Sequence, residues 1–166
     1  MTATDPAAVK AARRRAAAAV LALITAGADL GAKAWANTAL PGEPVHLGLL
    51  ELRLAFNPGV AFSIGDALPS WVVIAFTGLI TLGVAVFAWR TAPETKATAA
   101  ALAVVLGGAA ANLVDRARDG VVTDYLHTGW WPTFNLADVF IVCGGLAMVA
   151  LSWRRTGHER DHTPVG

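Results

Sequence analysis

Four long runs without any Asp, Glu, Lys or Arg constrain this chain of 166 residues more than any other feature. The runs cover residues 16–28, 67–89, 97–114 and 139–153. A helix needs about 20 mostly apolar residues to cross a hydrocarbon core of about 30 Å. The second and third runs have 23 and 18 residues, whereas the first and fourth become long enough only by including Asp29 and Lys33, or Asp138. We therefore predict four membrane spans, at about 16–36, 70–89, 97–115 and 135–153.

Composition excludes several other classes of protein. Only 15% of the residues are charged and 55% are hydrophobic, whereas a soluble domain usually has about a quarter charged residues. An apolar, nearly neutral chain is not typical of disorder. The single cysteine, Cys143, excludes a disulfide within the chain. A net charge of +1 gives no basic surface for nucleic acid, so no nucleic-acid partner is expected.

Basic residues predict the orientation of the spans, because Lys and Arg collect on the cytoplasmic side of a membrane. With four spans, three basic groups lie on one side: Lys10 with Arg13–Arg15, Arg90 with Lys96, and Arg154 with Arg155. Both termini are then cytoplasmic. A cleaved signal peptide is the competing interpretation of the N-terminus, but three further spans follow it. We expect one domain over residues 1–156 and a polar cytoplasmic tail over 157–166.

The stretch 37–69, on the extracytoplasmic side, has a different pattern. Apolar and charged residues alternate over 50–54, which is the period of a half-buried strand. Turn signals at Pro41-Gly42 and Asn57-Pro58-Gly59 bracket this segment. The predicted fold is therefore an all-α polytopic membrane protein with four transmembrane helices and a small extracytoplasmic β element.

Charged residues inside the spans need an explanation, because each costs about 2.5–3.5 kcal/mol at the centre of a helix. Asp29 and Lys33 are four residues apart and can pair on one helix face, either to fix a helix end or to orient a ligand. Asn112 and Arg116 have the same spacing at the end of the third span. The Gly and Ala residues that precede them allow another helix to approach closely.

Asp124 and Asp138 flank the connection between the last two spans, so both carboxyl groups are expected at the same depth near the outer surface. Two carboxyl groups in a low-dielectric site share one proton, which provides a general base for water and a general acid. The residues alone leave a peptidase and an ion or proton relay equally open. No His or Cys cluster predicts a metal site, and Ser63 has only Lys33 as a conceivable base.

Five sequence blocks, in order, resemble the lipoprotein signal peptidase (signal peptidase II) family. The blocks are Asp29-Leu-Gly-Ala-Lys33, Asn57-Pro-Gly-Val-Ala-Phe-Ser63, Gly107-Gly108 through Asn112-Leu-Val-Asp-Arg116, Val122-Thr-Asp-Tyr125, and Phe134-Asn-Leu-Ala-Asp138. The chain departs from the family pattern at Val60, where Ala is usual, and at Ala111, where Gly is usual. These departures affect the substrate pocket rather than the chemistry.

The resemblance implies a membrane aspartic endopeptidase that removes signal peptides from diacylglyceryl-modified prolipoproteins, cutting N-terminal to the lipidated cysteine. It implies that Asp124 and Asp138 are catalytic. The residues implied to bind substrate or support the site are Asn57, Asn112, Arg116, Asn135, Asp29 and Lys33. The family works in the bacterial cytoplasmic membrane without metal or organic cofactor, and globomycin inhibits it. We expect a monomer in contact with membrane lipid. The alternatives are a proton-coupled carrier that uses the same acids, and a non-enzymatic lipid or peptide receptor.

Overall fold

The computed structural model describes residues 5–58, 69–92 and 95–160. Within these ranges the chain forms four helices and one three-stranded sheet. In chain order the elements are α1 (Pro6–Ala39), β1 (Val45–His46), β2 (Glu51–Asn57), α2 (Ser70–Thr91), α3 (Lys96–Asp119), β3 (Val122–His127) and α4 (Leu136–Arg160). All four helices are long and apolar enough to cross a membrane. The prediction of a helical membrane protein with four spans and a small sheet is therefore confirmed.

α1 and α4 extend furthest beyond the spans predicted for them. α1 has 34 residues, which is about 51 Å of helix and well beyond the thickness of a bilayer core. It begins at Pro6 because the Asp5 side chain accepts a 2.9 Å hydrogen bond from the Ala7 N–H, and proline suits the first helical position. α4 continues to Arg160, so residues 157–160 of the predicted tail are helical. The rest of that tail lies outside the described residues.

α3 is the central helix and packs against α1, α2 and α4. Glycines allow this close packing, as the sequence predicted. A Cβ atom at Gly108 would lie 2.6 Å from the backbone oxygen of Ala137 on α4, and one at Gly107 would lie 2.6 Å from the backbone oxygen of Ala22 on α1. Gly144 provides a similar contact from α4 to Val105 and Ala101. Small residues therefore bring the backbones of three helices close together.

The sheet has the order β1-β2-β3, and both pairings are antiparallel. β2 confirms the strand predicted from the alternating segment. The prediction that the β element lies within 37–69 is incomplete, because β3 comes from the connection between α3 and α4. β3 shows no alternation in its sequence because its first four residues are all buried. The residues 59–68, including Val60 and Ser63, lie outside the described part of the chain.

The sheet covers one end of the helical bundle, and the Arg15 side chain joins two helices at the opposite end. Ala36 and Leu40 at the end of α1 form a buried apolar cluster with Tyr125 of β3. At the other end, the Arg15 side chain donates a 3.1 Å hydrogen bond to the Trp89 carbonyl, and its guanidinium lies 4.7 Å from the centre of the Trp89 ring. The contact ties the start of α1 to the end of α2.

Candidate active site

Asn135 brings Asp124 and Asp138 to the same place in the structure. Its side-chain nitrogen donates a 2.7 Å hydrogen bond to Asp124 Oδ1, and its backbone N–H donates a 3.1 Å bond to Asp138 Oδ2. The N–H of Asp138 donates in return to Asn135 Oδ1, at 3.0 Å. Asn135 is completely buried. The two carboxyl groups that the sequence singled out therefore lie on either side of one fixed amide.

Local structure explains why these groups are so placed. Asn135 and Asp138 exchange side-chain to backbone hydrogen bonds across the first turn of α4, which is the reciprocal arrangement of a capping box. Asp138 is therefore oriented by the start of its own helix. Asp124 is oriented by the sheet, where it pairs with Ala55 of β2.

Two further asparagines predicted for the site contact the carboxyl groups. The Asn112 side chain on α3 donates a 3.0 Å hydrogen bond to Asp138 Oδ1, and its oxygen accepts a 3.1 Å bond from the Asn135 side chain. The Asn57 side chain, at the end of β2, donates a long 3.5 Å bond to Asp124 Oδ2. Asp124 thus receives two side-chain donors, whereas Asp138 receives one side-chain donor and the backbone N–H of Asn135.

Lys33 is buried among three oxygen atoms. Its ammonium group lies 2.9 Å from Asp29 Oδ2 and 3.3 Å from Asp115 Oδ2, and it donates a 2.6 Å hydrogen bond to Asn112 Oδ1. These contacts use the three donors of an ammonium group. Lys33 is therefore engaged with charge partners rather than presented as a base for Ser63, which lies outside the described residues.

Asp29 connects α1 to α4, which favours the structural alternative for the Asp29–Lys33 pair. Asp29 Oδ1 accepts a 2.8 Å hydrogen bond from the Ala137 N–H, in the first turn of α4. A carboxylate at this position satisfies a free amide and favours the positive end of the helix dipole. Both members of the pair are almost fully buried. The pair is an internal support for the end of α4 that carries Asp138.

Two supporting residues were not assigned a role from the sequence. Asp115 Oδ2 accepts a 2.7 Å hydrogen bond from the Thr123 N–H, directly before Asp124 in β3. The Tyr125 hydroxyl, directly after it, accepts a 3.2 Å bond from the Leu136 N–H. The charge of Asp115 and the aromatic ring of Tyr125, next to Asp124, were visible in the sequence. The residues that they contact lie further along the chain, so their roles were not. Arg116, which was predicted, is buried and close enough to interact electrostatically with Asp115, Asp124 and Asp138.

The surroundings of Asp124 favour its protonated form. Burial, and to a lesser extent the Asp138 charge, raise the pKa of Asp124 from 3.8 to about 7. Hydrogen bonds from Asn135 and Asn57 and the Lys33 charge oppose this shift. Burial also raises the pKa of Tyr125 to about 12, so its hydroxyl stays neutral. The site can therefore hold a proton near neutral pH beside a second carboxyl group, as acid–base catalysis requires.

The described residues offer no cluster of three or more His, Cys, Asp or Glu side chains that could hold a metal ion. Lys33 also lies between Asp29 and Asp115, where a cation would otherwise be needed. The carboxyl groups of Asp124 and Asp138 are bonded instead to amide donors, which hold them in fixed orientations.

Comparison with known proteins identifies the family. The sequence profile of signal peptidase (SPase) II matches residues 20–154. A protein named lipoprotein signal peptidase from Rhodococcus jostii (strain RHA1) is 39% identical over 136 residues, which is 76% of this chain and 65% of that protein. The chain therefore spans just under two thirds of that relative. Proteins of the same name from Syntrophomonas wolfei and Hydrogenovibrio crunogenus are 36% and 37% identical, over 83% and 87% of their lengths.

A solved structure confirms the fold. It is described as a bacterial membrane enzyme determined by the in meso method at 2.3 Å resolution, and it superposes with a TM-score of 0.74. At 20% identity the two chains match over 91% of this chain and 95% of the other. The family profile matches most of the chain, and the alignments with relatives above 30% identity span most of each relative's length. This multi-pass membrane protein therefore belongs to the signal peptidase II family.

Proposed function

We propose that this protein is the aspartic endopeptidase that removes signal peptides from diacylglyceryl-modified prolipoproteins, with Asp124 and Asp138 as its catalytic pair. The observation that carries the proposal is the pair of hydrogen bonds from Asn135, one to each carboxyl group. Membership of the signal peptidase II family supplies the reaction class. The bond cleaved is the peptide bond on the N-terminal side of the lipidated cysteine.

The chemistry follows from one proton shared by two carboxyl groups. The ionised aspartate accepts a proton from a water molecule as the water oxygen attacks the scissile carbonyl carbon. The protonated aspartate donates its proton to the carbonyl oxygen, which gives a neutral tetrahedral diol. That intermediate collapses when the aspartate that took the water proton gives it to the nitrogen of the cysteine residue and the carbon–nitrogen bond breaks. One hydroxyl of the diol returns its proton to the other aspartate as the new carboxyl group of the signal peptide forms. One carboxyl group is again protonated and one ionised, so the pair is ready for another cycle.

The supporting residues hold this pair in place. Asn135 and Asn112 orient Asp138, and Asn57 adds a donor to Asp124. Asp29 and Lys33 act as positioning residues, since they contact the first turn of α4 and Asn112 rather than the carboxyl pair itself. Arg116 adds a buried positive charge close to both acids. Fixed polar groups of this kind stabilise charge in a transition state without reorganising.

The substrate fits a site at the sheet end of the bundle. In the bacterial cytoplasmic membrane, the basic groups at the opposite end favour cytoplasmic termini, and we propose that the carboxyl pair lies near the extracytoplasmic surface. A signal peptide that spans the membrane as a helix has its cleavage point at that depth, and diacylglycerol holds the modified cysteine at the level of the acyl chains. We propose that one chain is sufficient, so the working unit is a monomer. A proton-coupled carrier is not favoured, since the chain belongs to a peptidase family.

The test is cleavage of a purified diacylglyceryl-modified precursor by the purified full-length protein. Asp124→Asn and Asp138→Asn are each expected to lower the rate by about 10²–10⁴-fold, because each removes one partner of the acid–base pair. Asp119→Asn is the matched control, because Asp119 is exposed at the end of α3 and should leave the rate unchanged. Globomycin should inhibit the reaction, and a metal chelator should have no effect.

Near wild-type cleavage by either site variant would overturn the assignment of that aspartate. Proton flux across vesicles without cleavage of the precursor would favour the carrier instead. Light scattering of the detergent-solubilised protein tests the monomer.

A further inference from the structure

A cavity of about 690 Å³ lies between the first part of α1 and the first turns of α3, at the end of the bundle opposite the sheet. It is far from the carboxyl pair and has no part in the proposed cleavage. Four basic residues line it, which are Lys10, Arg13, Arg14 and Lys96. None of the described residues that line it is acidic, and the remaining lining residues are apolar.

The basic residues form one group at the mouth of the cavity. Lys10, Arg13 and Arg14 have the spacing that places side chains on the same face of a helix, and Lys96 faces them from the first turn of α3. Arg15, the next residue, is directed elsewhere, since it contacts Trp89 of α2. The basic run of α1 therefore contributes Lys10, Arg13 and Arg14 to the lining of this cavity and Arg15 to a contact with α2.

The apolar part of the cavity extends in the direction of the hydrocarbon. Its lining continues along α1 to Leu21, eight residues beyond Arg13, which is about 12 Å along the helix axis. Half of a hydrocarbon core is about 15 Å. Ala99 and Ala100 line the α3 side over a shorter length. Small side chains on both helices keep this path open for nearly the depth of one leaflet.

We propose that this cavity binds one anionic phospholipid, with its phosphate among the basic side chains and its acyl chains against the apolar wall. The charge of the mouth is complementary to an anionic headgroup, and basic pockets between transmembrane helices bind such headgroups in other membrane proteins. The length of the apolar wall matches an acyl chain, whereas an inorganic phosphate ion has no apolar part that could contact the wall. The volume lies within the range of about 300–1,000 Å³ that is typical of small-molecule sites. In the proposed orientation the lipid belongs to the cytoplasmic leaflet.

The test is native mass spectrometry of the delipidated, full-length protein, titrated with phosphatidylglycerol or with phosphatidylcholine of the same acyl chains. Wild type is expected to retain one phosphatidylglycerol molecule in preference to phosphatidylcholine. Arg13→Gln/Lys96→Gln should weaken that binding about 10- to 30-fold, since each basic residue near an anionic surface contributes a factor of about five. Arg90→Gln/Arg154→Gln is the matched control, because it removes two charges that lie outside this cavity.

A second variant separates a lipid from a free anion. Ala17→Trp keeps every charge but fills the apolar wall, and it is expected to weaken phosphatidylglycerol binding as well. Circular dichroism checks that each variant keeps its helix content. Equal retention of the two lipids, or equal losses in the two double variants, would overturn the proposal. Displacement of the lipid by inorganic phosphate, with no effect of Ala17→Trp, would show a simple anion site instead.

Discussion

Asn135 has two tasks that use the same hydrogen bonds. Its exchange with Asp138 starts α4, and its side-chain nitrogen reaches Asp124 on β3. The geometry of the acid pair is therefore fixed by the interactions that begin a helix. Rigid elements hold reacting groups more accurately than loops do, which is an advantage when two carboxyl groups must share one proton. The sequence indicated Asn135 only through family resemblance, because the partner on β3 is eleven residues away.

The pH dependence of cleavage is expected to reflect Asp124. Burial, and then the Asp138 charge, raise the pKa of Asp124 to about 7. A raised pKa means that the carboxyl keeps its proton at lower pH and loses it as the pH rises through 7. Since the pair needs one proton, we expect kcat/KM to fall about tenfold per pH unit above that value. Initial rates on a lipidated precursor, measured from about pH 5 to pH 9, test this. A rate that stays constant up to the highest pH would show that the proton is not held there.

Lys33 is expected to be essential for stability although it does not touch the acid pair. Lys33→Met leaves Asp29 and Asp115 buried without their common cation, which should cost about 3–5 kcal/mol of the free energy of unfolding. Arg154→Met on α4 is the control, because Arg154 is exposed and lies outside the basic cavity, so it should change stability by less than about 0.5 kcal/mol. Unfolding in detergent micelles, followed by circular dichroism, measures both. Equal stability of the two variants would contradict the structural role given to Lys33.

At the scale of elements, the contact between α3 and α4 sets the position of Asp138. Gly108 packs against the backbone oxygen of Ala137, the residue before Asp138. A Cβ atom added at Gly108 would lie 2.6 Å from that oxygen. Gly108→Ala should therefore push the first turn of α4 away, with a cost of about 1–3 kcal/mol and a lower rate of cleavage. Gly145→Ala on α4 is the matched control, because nothing lies within 4 Å of its added Cβ atom.

The two alanine variants should differ in sign as well as in size. A helical Gly→Ala change in open space stabilises a protein by about 0.5–1 kcal/mol. Thermal unfolding and the rate of precursor cleavage, compared between the two variants, provide the measurement. If Gly108→Ala is as stable and as active as Gly145→Ala, close approach of the helices does not position Asp138.

The elements also show what the sequence could and could not predict. The spans could be predicted because apolar runs of about 20 residues without charges are typical of transmembrane helices. The strand β2 could be predicted because apolar and charged residues alternate along its sequence. β3 could not, because burial on both faces removes the period, and its neighbours in the sheet come from a distant segment. The extension of α1 beyond the predicted span was missed because hydropathy marks the hydrocarbon core rather than the helix.

At the scale of the whole molecule, the network around Lys33 explains why scattered polar residues belong to one site. Lys33 comes from α1, Asp115 and Asn112 from α3, while Asn135 begins α4. Spacing within each segment suggested pairs such as Asp29 with Lys33, and that pair is present. Contacts between segments depend on how the helices pack, which a single sequence does not encode in any local pattern. The five family blocks supplied that information indirectly, since they mark the parts of the chain that meet.

Orientation in the membrane is the property of the whole molecule on which the proposed substrate depends. The basic cluster at the start of α1 predicts a cytoplasmic N-terminus, so the turn between β1 and β2 should face the outside. In a Cys143→Ala background, Leu49→Cys is expected to react with a membrane-impermeant maleimide in intact spheroplasts, since Leu49 is 94% exposed. Ala12→Cys, also exposed, should react only after the membrane is permeabilised. The reverse pattern would place the carboxyl pair at the cytoplasmic surface, where exported lipoprotein precursors do not present their cleavage point. Labelling of both positions in intact cells would mean that the protein inserts in two orientations, and the charge argument would then be wrong.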